Sequence, residues 1–140
     1  MKDKILVDTN ILVYLIDETE EEKHLQALDF FKKIQNKENY FVAFQNLKEF
    51  SNIARKKAFL SAKEINEKIH VFADSFKMVF DDYQDLENAN ELVEKTKAPF
   101  WDSMIVAVMQ KEKITKILTE NVKDFEKFES EKIEIINLFK

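Results

Sequence analysis

The chain has 140 residues, with 45 % hydrophobic and 35 % charged positions, a formal net charge of −5, and neither cysteine nor glycine. This size and composition suit one globular domain with a sizeable core rather than a disordered segment. They exclude disulfides and thiolate chemistry, and also the glycine-dependent phosphate loops of the Walker A and GxGxxG types. No apolar run approaches the ~20 residues of a membrane span. The N-terminus lacks a signal-peptide core and cleavage site, so a cytoplasmic protein is expected. The acidic balance argues against a broad basic face for nucleic acid. Two local clusters remain, Lys32, Lys33 and Lys37, then Arg55, Lys56 and Lys57. Each equally suits a helix C-terminus, where cations complement the dipole.

In chain order, apolar Lys4–Val7 reads as a buried strand, and Ile11–Ile16 as a short helix directly behind Asp8-Thr9-Asn10. From Glu20 to about Gln35, Leu25, Leu28, Phe31 and Ile34 mark one face of an amphipathic helix. Tyr40–Ala43 is a continuous apolar run typical of a parallel strand, followed by a helix from about Leu47 to Lys57 with Leu47, Phe50 and Ala54 inward. Ser61-Ala62-Lys63-Glu64 is a capping box opening a helix that turns Ile65, Ile69, Phe72 and Phe76 to the core. Met78–Phe80 is a third strand, and Leu86, Ala89 and Val93 define the next helix, to about Thr96. Pro99 suits the first turn of a helix whose body, Met104–Met109, is apolar nearly all round. Ile117–Thr119 and Ile133–Ile136 supply the last strands around a short helix near Val122–Phe128. Strands alternating with helices predict an α/β fold, a mostly parallel sheet of five strands flanked by helices on both faces.

On that map most acids fall on solvent faces, but Asp8, Glu49 and Asp102 do not. Asp8 ends the first strand, Glu49 comes early in the helix after the second, and Asp102 heads the apolar helix. Each has a structural alternative. Asp8 or its neighbours can cap a helix, Glu49 can form a capping box with Asn46, and Asp102 can complement a helix dipole. Together they gather on one edge of a parallel sheet, where ligands bind. Like charges so gathered raise each other's pKa unless a cation offsets them. Oxygen ligands with room for water suit Mg²⁺ or Mn²⁺, which points to metal-assisted phosphodiester hydrolysis.

The stretches VDTNILVYL, NLKEFSNIARKK, FWDSMIVAVMQ and ILTENVKDFEKF, in that order, resemble PIN domains, most of all the ribonuclease toxins of VapBC-type toxin–antitoxin pairs. The resemblance implies one PIN-like nuclease domain over residues 1–140, cleaving RNA with Mg²⁺ or Mn²⁺ held by Asp8, Glu49 and Asp102. It places Thr9 and Asn10 beside the first acid and makes Thr119 the hydroxyl near the end of the last strand. Many PIN domains carry a fourth acid where this chain has Asn121, and Asp124 is the nearest substitute. An RNA substrate, with tRNA among the candidates, a cognate antitoxin and a homodimer follow as expected partners. The 13 phenylalanines also suggest an exposed interface. The competing class is a non-catalytic α/β signalling module of receiver type, which requires an acidic pair after its first strand. Here Asp81-Asp82 follows the third, and an Asp-x-Asp phosphatase motif is broken by Asn10.

Overall fold

The computed structural model describes residues 2–139. Five short strands, β1 (Ile5–Val7), β2 (Tyr40–Ala43), β3 (Lys77–Val79), β4 (Lys116–Leu118) and β5 (Glu134–Ile136), form a single sheet of order β3-β2-β1-β4-β5. All four strand pairings are parallel. The sheet is therefore wholly rather than mostly parallel. Seven helices connect the strands: α1 (Thr9–Tyr14), α2 (Glu21–Ile34), α3 (Phe44–Lys57), α4 (Ala62–Ser75), α5 (Tyr83–Thr96), α6 (Phe100–Lys111) and α7 (Val122–Phe125). A 3-10 turn, Glu126–Glu131, follows α7.

Alternate strand residues enter two separate cores, as the two-residue period of a pleated strand requires. Leu6, Phe41 and Ile117 pack with α5, with α6 and with Phe125 of α7. Val7, Val42 and Leu118 pack on the other face with residues of α1, α2, α3 and α4. Helices cover both faces, which explains why the strands read as unbroken apolar runs. In α6, Ser103 to Met109 are all buried, the reason this helix lacks a polar stripe.

The central strand β1 is flanked by β2 on one side and β4 on the other, so the chain reverses direction across the sheet between β1 and β4. In open α/β sheets, ligands bind in the crevice beyond the carboxyl ends of the strands at that switch point. Asp8 directly follows β1 there, and Thr119 directly follows β4. Thr119 thus stands at the end of the fourth strand, one residue beyond it, and not at the end of the last.

Several helix faces differ from the periodicity reading. In α2 the fully buried positions are Ala27 and Ile34, while Leu25 turns to solvent. In α5 the buried stripe is Asp85, Ala89 and Leu92, one residue off the expected Leu86, Ala89 and Val93. Pro99 is the residue before α6 rather than its first residue, and Phe80 lies beyond β3, exposed. Without glycine, five other residues adopt left-handed backbone, among them Lys97, Lys113 and Lys132 at the ends of helical segments. A Cβ costs energy in that region, and glycine ordinarily fills it.

Candidate active site at the sheet switch point

Asp8 is buried, and its carboxylate is held from several sides. One oxygen, Oδ1, accepts from the Thr9 N–H at 2.8 Å and from Asn46 Nδ2 at 3.4 Å. The other, Oδ2, accepts from Thr119 Oγ1 at 2.8 Å and Asn10 Nδ2 at 3.3 Å. Asp8 is itself the N-cap of α1. The cap is therefore Asp8 and not its neighbours, since Thr9 and Asn10 already lie inside the helix.

Thr9 extends the network, donating from Oγ1 to Glu49 Oε1 at 2.7 Å and accepting from Asn46 Nδ2 at 3.0 Å. Gln45 Nε2 reaches both the Trp101 carbonyl, at 3.1 Å, and Glu49 Oε2, at 3.5 Å. Glu49 therefore orients toward the crevice and does not close a capping box with Asn46. Asn46 lies in the first turn of α3, fully buried, and its Oδ1 accepts from the Ala43 N–H at 2.9 Å. On the other side, Thr119 Oγ1 accepts from Asn10 Nδ2 at 3.1 Å and from the Asn121 N–H at 2.9 Å. Asn10 Oδ1 accepts from the Glu120 N–H at 3.2 Å, tying the β4 loop to α1.

Asp102, in the first turn of α6, is half-buried. Its pKa is pushed up to about 6, first by desolvation, then by the negative charges of Asp124, Asp8 and Glu49. The exposed Lys127 opposes them with a smaller effect. Asp102 thus feels the charge of three other acids. Asp124 acts on Asp102 more strongly than Asp8 or Glu49 does. It also accepts from Asn121 Nδ2 at 2.8 Å. Burial also raises the Asp8 pKa, partly offset by the Thr119 and Thr9 hydrogen bonds, with Glu49 adding repulsion.

Among the described residues no group of three or more acidic, histidine or cysteine side chains is placed so that it could hold a metal ion as the side chains stand. The acids that act on Asp102 nevertheless all offer oxygen donors, and of the charges on it only Lys127 opposes them. Such a set fits a hard divalent ion that retains several of its waters.

Sequence reasoning missed two residues here, Asn46 and Gln45. For Asn46 the signal was present, because Asn46, Phe50 and Ala54 recur every four residues, which puts an amide on the buried stripe of α3. It also missed Asp85, which is only 1 % exposed. Asp85 Oδ2 accepts from Lys111 Nζ at 2.6 Å, and Lys111 also donates to the Phe80 carbonyl at 2.6 Å.

A site of oxygen ligands at the switch point of a fully parallel five-stranded sheet defines a class of α/β domain built around a carboxylate crevice. A family model for the PIN domain matches residues 5–130, and the chain belongs to that family. No curated protein sequence matches it. Among solved structures, the chain is similar to a DNA-bound VapBC from Salmonella typhimurium, with TM-score 0.72, 17 % identity, and coverage of 98 % of this chain and 99 % of that one. It is also similar to a toxin–antitoxin complex from Klebsiella pneumoniae, with TM-score 0.64, 20 % identity, and coverage of 87 % and 90 %. A third is VapC20 of Mycobacterium tuberculosis, a toxin cleaving the sarcin–ricin loop, with TM-score 0.64, 15 % identity, and coverage of 81 % and 87 %. At these identities the likeness is one of fold.

Proposed function

We propose that the chain is a metal-dependent endoribonuclease and the toxin of a toxin–antitoxin pair. The observation that carries this reading is the gathering of Asp8, Glu49, Asp102 and Asp124 on one crevice, where they raise the pKa of Asp102. Membership of the PIN family and the toxin neighbours support it. Asp8, Glu49 and Asp102 would hold Mg²⁺ or Mn²⁺, with Asp124 as a further ligand on the Asn121 side. When bound, the ion supplies charge neutralisation at the phosphate and a water of lowered pKa.

The protein's own contribution is orientation. Thr119, Asn46 and the Thr9 N–H hold Asp8 in one rotamer, leaving it no freedom to swing away from the crevice. Thr9 and Gln45 do the same for Glu49. Locking acids in this way removes the entropy of assembling them around a substrate. The two histidines take no part: His24 Nδ1 lies 2.7 Å from the Tyr14 carbonyl and His70 is exposed on α4.

A cognate antitoxin and a homodimer complete the proposal. Exposed Phe44, Phe59 and Phe80 supply apolar surface for such contacts. Nothing favours the receiver-like reading, since Asp82 is engaged in capping α5. No helix among the described residues is long and apolar enough to cross a membrane. The test is cleavage of single-stranded RNA with Mg²⁺ or Mn²⁺, with EDTA as control. Metal-dependent cleavage by wild type, lost in Asp8→Asn, is expected. Cleavage unchanged by EDTA would reject the reading.

A further inference from the structure

Beside the carboxylate crevice lies a second feature that the acids do not use. The α5 and α6 N-termini and the end of β3 enclose an open cavity of about 450 Å³, within the range of small-ligand pockets. Tyr83, Leu86, Phe100 and Trp101 form its apolar walls, and Asp81 and Asp82 its rim. Trp101 is 62 % exposed and Tyr83 78 %, so both present ring surface to solvent.

Trp101 is fixed rather than loose. Phe100 meets its ring edge-to-face with centroids 5.0 Å apart, and the Trp101 carbonyl accepts from Gln45, which also reaches Glu49. The ring therefore stands one residue from Asp102, in fixed register with the acid cluster. Next to Glu49 in the chain, Lys48 Nζ lies 4.8 Å from the Phe44 ring centroid.

We propose that this platform seats an unpaired nucleobase of the RNA next to the cleaved phosphate, stacked on Trp101 with its amino edge toward Asp81. The inference rests on the ribonuclease reading and names the part of the substrate that the chain would recognise. The chemistry of the rim selects the occupant. Carboxylates repel phosphates but accept from amino groups, so a base edge is favoured over the backbone. Asp82 is committed to the Asp85 N–H at 3.0 Å, which leaves the exposed Asp81 to face the base. Guanine, whose ring N–H and amino group lie side by side, matches a carboxylate best. A base inside a duplex has no free face to stack, so the platform selects single-stranded RNA. A second copy of this chain, with its own charge of −5, would bring acid against acid here.

Trp101 is the sole tryptophan of the chain and so reports directly on the platform. In EDTA, where nothing is cleaved, the single-stranded pentanucleotide UUGUU is expected to quench its fluorescence saturably and more strongly than UUUUU. A hairpin with its guanine paired should not quench it. Asp81→Asn should bring UUGUU down to the level of UUUUU. In Mg²⁺, Trp101→Ala should raise KM for single-stranded RNA by about tenfold with kcat changed less than about twofold, and Trp101→Phe should restore most of the loss. No quenching by any oligonucleotide, or Trp101→Ala with wild-type KM, would overturn the proposal and leave the platform to a protein partner. If the chain proved not to cleave RNA at all, the EDTA titration would still decide the platform, and only the nuclease reading would fall.

Discussion

Two acids at helix N-terminal turns, Asp85 and Asp102, differ in what surrounds them. Asp85 is almost wholly buried, yet Lys111 Nζ sits 2.6 Å from it and the pair closes one end of α5 onto α6. Asp102 is only half-buried, yet its principal charged neighbours are three more acids. An internal cation marks the first as structure. The acids around the second can be balanced only from outside, by protons or by a metal. Burial alone does not separate a working acid from a structural one; the sign of its neighbours does.

The largest effect expected from this contrast is on cleavage. Asp102→Asn should lower RNA cleavage at least about a hundredfold while leaving the circular dichroism spectrum unchanged, since it removes charge but little volume. Asp85→Asn should leave cleavage within about twofold of wild type, provided the protein stays folded. Equal losses of activity in both variants would erase the distinction between the two acids.

On stability the order reverses. Asp85→Ala strands the Lys111 ammonium and should cost about 2–3 kcal/mol in urea unfolding, less than a fully buried pair because Lys111 reaches solvent. Loss of less than about 0.5 kcal/mol would make the pair incidental. Thr119→Val removes a hydrogen bond from the buried Asp8 carboxylate and should cost about 1–2 kcal/mol.

The pH dependence sharpens the comparison further. In EDTA, folded Asp102 holds its proton up to about 6, above its ordinary value. Between pH 4 and 6 this group therefore holds more proton in the folded state than in the unfolded chain, so its contribution to stability, read as wild type minus Asp102→Asn, should fall as pH rises through that window. Screening at a half-exposed group limits the fall to about 1 kcal/mol. Mg²⁺ should flatten the slope by displacing the proton. A difference between wild type and Asp102→Asn that rises across the same window in EDTA would contradict the raised Asp102.

The smallest effects lie at the edges of the site and beyond it. Asp124→Asn should lower cleavage less than Asp102→Asn, because Asp124 has Asn121 as its hydrogen-bond partner and stands at the exposed side of the crevice. Far from the site, Lys113→Gly should raise stability by about 0.5–1 kcal/mol, relieving a left-handed backbone at φ 60°. Thermal melts check both the sign and the size.

How much of this was legible in the sequence depended on the range of the interaction. Strand positions and the α4 capping box follow from local patterns, and the structure places Ser61 and Glu64 in reciprocal hydrogen bonds as expected. The three acids were singled out because strand-to-helix junctions and helix N-termini can share one edge of a parallel sheet. Side-chain pairings across the chain were not. Thr119 meets Asp8 across 111 positions, and Lys111 meets Asp85 across 26. The Lys–Asp pair explains the misread face of α5. An acid scored as polar in a helical stripe looks exposed until the lysine that neutralises it is known. In α2, the three-residue spacing of Leu25, Leu28, Phe31 and Ile34 drifts around a helix of 3.6 residues per turn, so its first member leaves the buried face.

The central claim is that these acids await a divalent cation, and a Mn²⁺ titration followed by calorimetry tests it most directly. Wild type should bind Mn²⁺ saturably, Asp85→Asn should bind as wild type does, and Asp102→Asn should bind at least about tenfold more weakly. Mn²⁺ affinity that is the same in wild type and Asp102→Asn would contradict the account.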